Sequence, residues 1–125
     1  MSDIIDDPEV AAILLYEGWL AQHRVAGRPS YNSWVRVPPI TAYLRRSRRY
    51  VPGTGLLEFV DIAAVCVEEA YQKKGYFTEF VSALLDLYNV HIECVHTEYL
   101  CAHLKKRKFL QFEYDPTCFY RLRNK

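Results

Sequence analysis

The sequence predicts a single mixed α/β domain with one parallel strand pair at its centre. Residues 56–67 are apolar and rich in β-branched side chains, as a buried strand would be. Residues 76–88 then place Phe77, Phe80, Val81, Leu84, Leu85 and Tyr88 at the spacing of one helix face. Residues 90–95 form a further short strand, and two strands joined by a helix of that length make a right-handed parallel crossover.

The flanking elements can be taken in order. Asp7, Pro8 and Glu9 supply a capping side chain, a proline suited to the first helical position and an acid near the dipole's positive end. The helix they open runs to about residue 23, with Val10, Ile13, Leu14 and Leu20 on its apolar side. Residues 27–30 read as a loop, and residues 33–37 as a short strand that Pro38 and Pro39 interrupt. Residues 40–50 form the next strand, which the turn at residues 51–55 reverses into the strand at residues 56–67. Asn89 caps the end of the crossover helix. Thr97 starts a helix to about residue 107, with Leu100 and Leu104 inward. Residues 109–114 and 118–123 close the domain as a hairpin around Asp115, Pro116 and Thr117.

At 125 residues the chain holds one core and one domain, residues 1–125. A net charge of +1 lacks the basic excess of a polyanion binder and argues against nucleic acid as a partner. No apolar run approaches the roughly 20 residues that span a bilayer. An acidic N-terminus without a basic leader, and Cys66, Cys94, Cys101 and Cys118 without a CxxC pair, predict reduced thiols and a cytoplasmic protein.

The polar turn at residues 68–75 sits between strand and helix, and carries Gln72, Lys73, Lys74 and Gly75 just before the helix starts. Such a turn aims backbone N–H groups, and the positive end of the helix dipole, at whatever anion occupies it. Asp61 lies mid-strand among apolar residues, where burial raises a carboxyl pKa and suits it to general-base work. Its alternative role is a structural pair with Arg46 or Arg48 of the preceding strand. Glu93, on the next parallel strand, is a second acid within reach of the same cleft, and Glu58 a weaker one. Strand alternation places Arg46 and Arg48 on one face and Arg45 and Arg49 on the other. Lys105 to Lys108 complement the helix dipole. Cys94, His96, Cys101 and His103 do not converge at zinc-ligand spacing, so no metal site is expected. Tyr16, Trp19, Tyr31, Trp34 and Tyr43 load the N-terminal third with aromatics that read chiefly as core or interface.

The stretch Val65-Cys66-Val67, Glu68 to Tyr71, then Gln72-Lys73-Lys74-Gly75-Tyr76-Phe77 resembles the signature of the GNAT superfamily of acyl-CoA-dependent N-acetyltransferases. The later strand, helix and Lys108-Phe109 step are similar to the family's second signature, and together the likeness spans Leu56 to about Arg121. The short chain is also similar in style to phage-encoded members. The resemblance implies a GNAT-like fold: an N-terminal helix, antiparallel strands, a central β-α-β crossover whose parallel strands splay apart, and a C-terminal helix and hairpin. It implies acetyl-CoA as co-substrate, with the pantetheine arm along Val65, Cys66 and Val67. The pyrophosphate would rest at Gln72, Lys73, Lys74, Gly75, Tyr76, Phe77 and Thr78. Amides near Cys66 and Val67 would hold the thioester oxygen, and Asp61 matches a position where some members carry a catalytic acid. Phe77 stands where the family has glycine or alanine, and Leu104 where it commonly has a general-acid tyrosine. The expected activity is acetyl transfer to a primary amine of a small molecule or a protein, by a monomer or a homodimer. The alternative is an inactive GNAT-like fold that binds a protein partner.

Overall fold

The computed structural model describes residues 4–25, 32–93, 95, 98–112 and 114–124. Along the chain come α1 (Pro8–Val25), β1 (Asn32–Val37), β2 (Ile40–Val51) and β3 (Gly55–Val67). A short 3₁₀ turn (Glu69–Tyr71) precedes α2 (Tyr76–Leu85), β4 (Asn89–Ile92), α3 (Glu98–Lys106), β5 (Leu110–Phe112) and β6 (Asp115–Arg121). The strands form one six-stranded sheet in the order β1-β2-β3-β4-β6-β5. Among the described residues only β3 and β4 run parallel, through pairs from Phe59 with Asn89 to Ile62 with Ile92. The expected mixed α/β architecture and its central crossover are therefore present.

One face of the sheet carries the helices. Ala11, Ala12, Leu15 and Trp19 of α1, Phe80, Val81, Leu84 and Leu85 of α2, and Leu104 of α3 share a core with Val60, Ile62, Val90, Ile92 and Phe119. The opposite face holds a smaller cluster of Val51, Phe59, Phe112, Cys118 and Tyr120, to which no helix contributes among the described residues. That second face is open only in having no described helix over it, since Phe59, Asp61 and His91 on it are each 1% exposed.

Several boundaries differ from the sequence reading, each for a local reason. The buried side of α1 is Ala11, Ala12, Leu15 and Trp19, while the expected Val10, Ile13 and Leu14 are 42, 53 and 38% exposed. Alanines let the α1 backbone approach its neighbours closely, and the indole of Trp19 then fills the space beyond them. Asp7 does cap the helix, its Oδ1 accepting the Glu9 amide at 2.9 Å. Helix α2 ends three residues early, where the Leu87 and Tyr88 amides both turn back to the Leu84 carbonyl. Strand β4 stops at Ile92 rather than residue 95, because the Val95 amide bonds the Thr117 carbonyl at 2.8 Å and carries the chain toward β6. Asp115, Pro116 and Thr117 lie in β6 rather than in the hairpin turn. The Asp115 carboxylate accepts the Thr117 amide and hydroxyl at 3.0 and 2.7 Å, which fixes that extended start. The expected loop at residues 27–30, the Thr97 cap, Tyr31, Cys94 and His96 lie outside the described residues.

Candidate functional site

The parallel strands fork. Among the described residues their last hydrogen bond joins the Glu93 amide to the Ile62 carbonyl at 3.2 Å, yet β3 continues to Val67. Where the two part, the pairing of β3 with β2 shifts between Tyr43 and Leu44, which face Ala64 and Ile62, so Ala63 is an extra residue in the strand. Such a bulge bends its strand and redirects the residues beyond it. Residues 63–67 thus offer a strand edge that β4 does not cover.

Above that edge the chain turns tightly into α2. Gln72 donates from Nε2 to the Val67 carbonyl at 3.0 Å and ties the turn to the end of β3. Lys73 and Gly75 take φ of 63° and 94°. An added Cβ at Gly75 would meet nothing within 4 Å, so the glycine is needed for its conformation rather than for space. The first intrahelical bond is from the Glu79 amide to the Gly75 carbonyl at 2.9 Å, and the amides of Tyr76, Phe77 and Thr78 precede it. They point out of the helix start.

A cavity of about 270 Å³ occupies the fork and this helix start. Of the residues expected at the cofactor site, Val65, Val67, Gln72, Lys73, Gly75, Tyr76, Phe77 and Thr78 line it, joined by Tyr71, Leu100 and His103. Cys66 and Lys74 do not. Cys66 alternates away from its neighbours and is exposed, and the Lys74 ammonium sits 5.3 Å over the Tyr71 ring. Phe77 packs partly against the main core and forms a wall, leaving the cavity open. Across it, Thr78 Oγ1 and His103 Nε2 hydrogen-bond at 3.2 Å and join α2 to α3. Burial, with Arg107 and Lys106 nearby, lowers the His103 pKa, so the ring is neutral at pH 7. Leu104 is fully buried, and no phenol stands at that position.

On the open face below the fork lies a charge network. Asp61 is 1% exposed and accepts hydrogen bonds from Ser47 Oγ at 2.8 Å, Arg49 Nη2 at 3.0 Å and His91 Nδ1 at 3.2 Å. Glu93 pairs with Arg45 and, at 3.5 Å, with Arg49. This corrects two expectations. The partners of Asp61 are Arg49 and Arg45 rather than Arg46 and Arg48, because register sets Arg45 opposite Asp61 and alternation keeps Arg49 on that face. Arg46 and Arg48 instead pair with Glu58 at 3.4 and 3.7 Å. Secondly, burial does push the Asp61 carboxyl up, but the bonds from His91, Arg49 and Ser47 outweigh it and hold the pKa below the usual carboxylate range.

Ligand atoms of Asp61, His91 and Glu93 lie within 4.8 Å of one another. Two guanidiniums already neutralise both carboxylates, so the group is built as an ion network. His91 had no signal in the sequence; only the register of β4 against β3, which sets it beside Asp61, places it here. On β1, Trp34 is 60% exposed and rests on Tyr43 with ring centroids 5.0 Å apart. Tyr16 and Trp19 belong to the main core.

No protein-family model and no curated protein matches the chain. Solved structures do share its fold. A mutant of the AtaT toxin bound to the C-terminus of the antitoxin AtaR and acetyl-CoA superposes with a TM-score of 0.56 at 12% identity, over 90% of this chain and 79% of that one. AtaT complexed with acetyl-methionyl-tRNAfMet gives a TM-score of 0.59 at 11% identity, covering 88% and 79%. A KacTA–DNA complex gives 0.54 at 14% identity, covering 85% and 77%. The shared architecture is the GNAT-like fold.

Proposed function

We propose that this chain transfers an acetyl group from acetyl-CoA to a primary amine. The observation that carries the reading is the fork: an uncovered strand edge at residues 63–67 that leads directly into the amides at the start of α2. The residues present fit the co-substrate. An extended amide-bearing arm can pair with the free edge between Val65 and Val67. A diphosphate suits the Tyr76, Phe77 and Thr78 amides with Lys73 beside them. Leu100 and Phe77 give the channel apolar walls. The acetyl-CoA complex of the AtaT neighbour supports the same assignment.

The acceptor amine is assigned to the open face, where the fork begins. Its nitrogen would attack the thioester carbon, the carbon–sulfur bond would break, and the amine proton would pass to a base. Amides near Cys66 and Val67 would hold the carbonyl oxygen as charge builds on it. Of the two acids, Glu93 suits the base better. It stands one residue past the last shared β4 position and is 19% exposed. Asp61 is saturated by donors, and its role is to hold Arg45, Arg49 and His91 in place. Replacing Glu93 by Gln is expected to lower turnover about 10²-fold or more while leaving CoA affinity within twofold.

Nucleic acid returns to consideration as part of the acceptor. AtaT is solved with an acetylated aminoacyl-tRNA, and Arg45 and Arg49 lie on this chain's open face beside Asp61. Aminoacyl-tRNA therefore joins small amines and protein N-termini among the acceptors to try. A second reading, an inactive fold that binds a protein, is favoured by buried Leu104 in place of a phenol. Thiol release from acetyl-CoA in the presence of these acceptors decides between them. Amine-dependent release supports the transferase, and CoA binding without release from any acceptor supports the inactive fold.

A further inference from the structure

A second cavity, of about 460 Å³, adjoins the first, and His103 lines both. Its other lining residues among those described are Lys106, Arg107, Lys108 and Arg121, all cations. The acids of the sheet, Glu58, Asp61 and Glu93, are instead engaged by arginines of β2 and by His91. Arg121 is held in place at the end of α3, donating from Nη1 to the Arg107 carbonyl at 2.9 Å and from Nη2 to Asn124 Oδ1 at 3.1 Å.

The backbone adds an independent observation. Among the described residues only Lys73 and Lys108 are non-glycine residues at positive φ, 63° and 70°. One lines the first cavity and the other the second. Lys108 closes α3, with its amide bonded to the Lys105 carbonyl at 3.0 Å and the Phe109 amide to the Leu104 carbonyl at 2.9 Å. That is the left-handed terminal position where glycine is the usual residue. A lysine there accepts strain that glycine would avoid, and such strain clusters at ligand clamps.

We propose that Lys106, Arg107, Lys108 and Arg121 bind the 3′-phosphate of coenzyme A. The inference rests on the acetyl-CoA reading above. Coenzyme A carries two separate phosphate groups joined through a ribose, and the fold offers a helix start with Lys73 beside it in one cavity and a cationic cavity that shares His103 with it. The Thr78–His103 hydrogen bond at 3.2 Å fixes the second cavity against the helix start assigned to the diphosphate. A strand of nucleic acid would also bring phosphate, but it has no reason to occupy a cavity that shares a wall with an apolar channel.

The test compares CoA with 3′-dephospho-CoA by calorimetric titration. The wild-type protein is expected to bind CoA about tenfold more tightly. Lys108→Gly removes a cation while relieving the backbone, so its melting temperature should hold or rise. Its CoA affinity should fall about threefold, with 3′-dephospho-CoA affinity unchanged. Combining it with Lys106→Gln and Arg107→Gln should bring the two ligands to equal affinity. Equal binding of both ligands by the wild-type chain, or a preference that survives the triple substitution, overturns the proposal while leaving the acetyl-CoA reading intact. Failure of the wild-type chain to bind either ligand overturns both.

Discussion

Asp61 shows how one side chain can be both costly and useful. Its burial alone would favour the neutral acid, yet His91, Arg49 and Ser47 keep it ionised and pull its pKa down. A folded-state pKa below the unfolded value means that the stability it contributes is present above about pH 4 and is lost as pH falls through the lower folded value. Asp61→Asn should therefore destabilise the protein by about 2–3 kcal/mol at pH 7, leaving Arg49 with only its longer pair to Glu93, at 3.5 Å. The deficit should shrink as pH falls below the usual carboxylate range, as urea unfolding across pH would record. An acid in an apolar strand is legible in the sequence as something needing a partner. Which partner is not, because alternation fixes the parity of the arginines in β2 but not their register against β3. That register also brings in His91, which no motif marks. Phe77 is legible as a departure at the helix start, and its ring proves compatible with an open cavity because α2 turns much of it onto the core.

At the scale of elements, periodicity is a good guide and residue volume a poor one. Large apolar residues at Val10, Ile13 and Leu14 outweigh two alanines in the sequence pattern, and only packing reveals that α1 docks through the small side. Trp19→Ala should then cost about 3–5 kcal/mol, since it empties a buried site. Ile13→Ser should stay within about 0.5 kcal/mol, as an exposed substitution does. Denaturant unfolding of the two variants measures both. The turn before α2 is legible from Gln72, Lys73, Lys74 and Gly75 because glycine and polar residues punctuate helices for local reasons. Gly75→Val forces a β-branched residue to φ near 94° and should cost about 1–2 kcal/mol. It should also weaken CoA binding by displacing the first amides of α2, whereas 3′-dephospho-CoA should weaken by the same factor. Strand β4 is shorter than its apolar pattern suggests, because Glu93 still bonds Ile62 of β3 but Val95 bonds Thr117 of β6.

For the molecule as a whole, the helices cover one sheet face and leave the other to a charge network and aromatic rings. Phe112 stacks between Tyr114 and Tyr120, with centroids 4.9 and 4.4 Å away, and closes one end of that open face. The fork connects the two sides of the sheet, so a co-substrate on the helical side and an amine on the open side can meet where β3 and β4 part. Backbone amide chemical shifts followed by NMR during titration with acetyl-CoA test this division most directly. Saturable shifts confined to residues 63–67 and 73–78, extending to Lys106, Arg107 and Lys108, are the predicted result. No shift at millimolar acetyl-CoA, or shifts restricted to the open face around Asp61 and Tyr114, would contradict it.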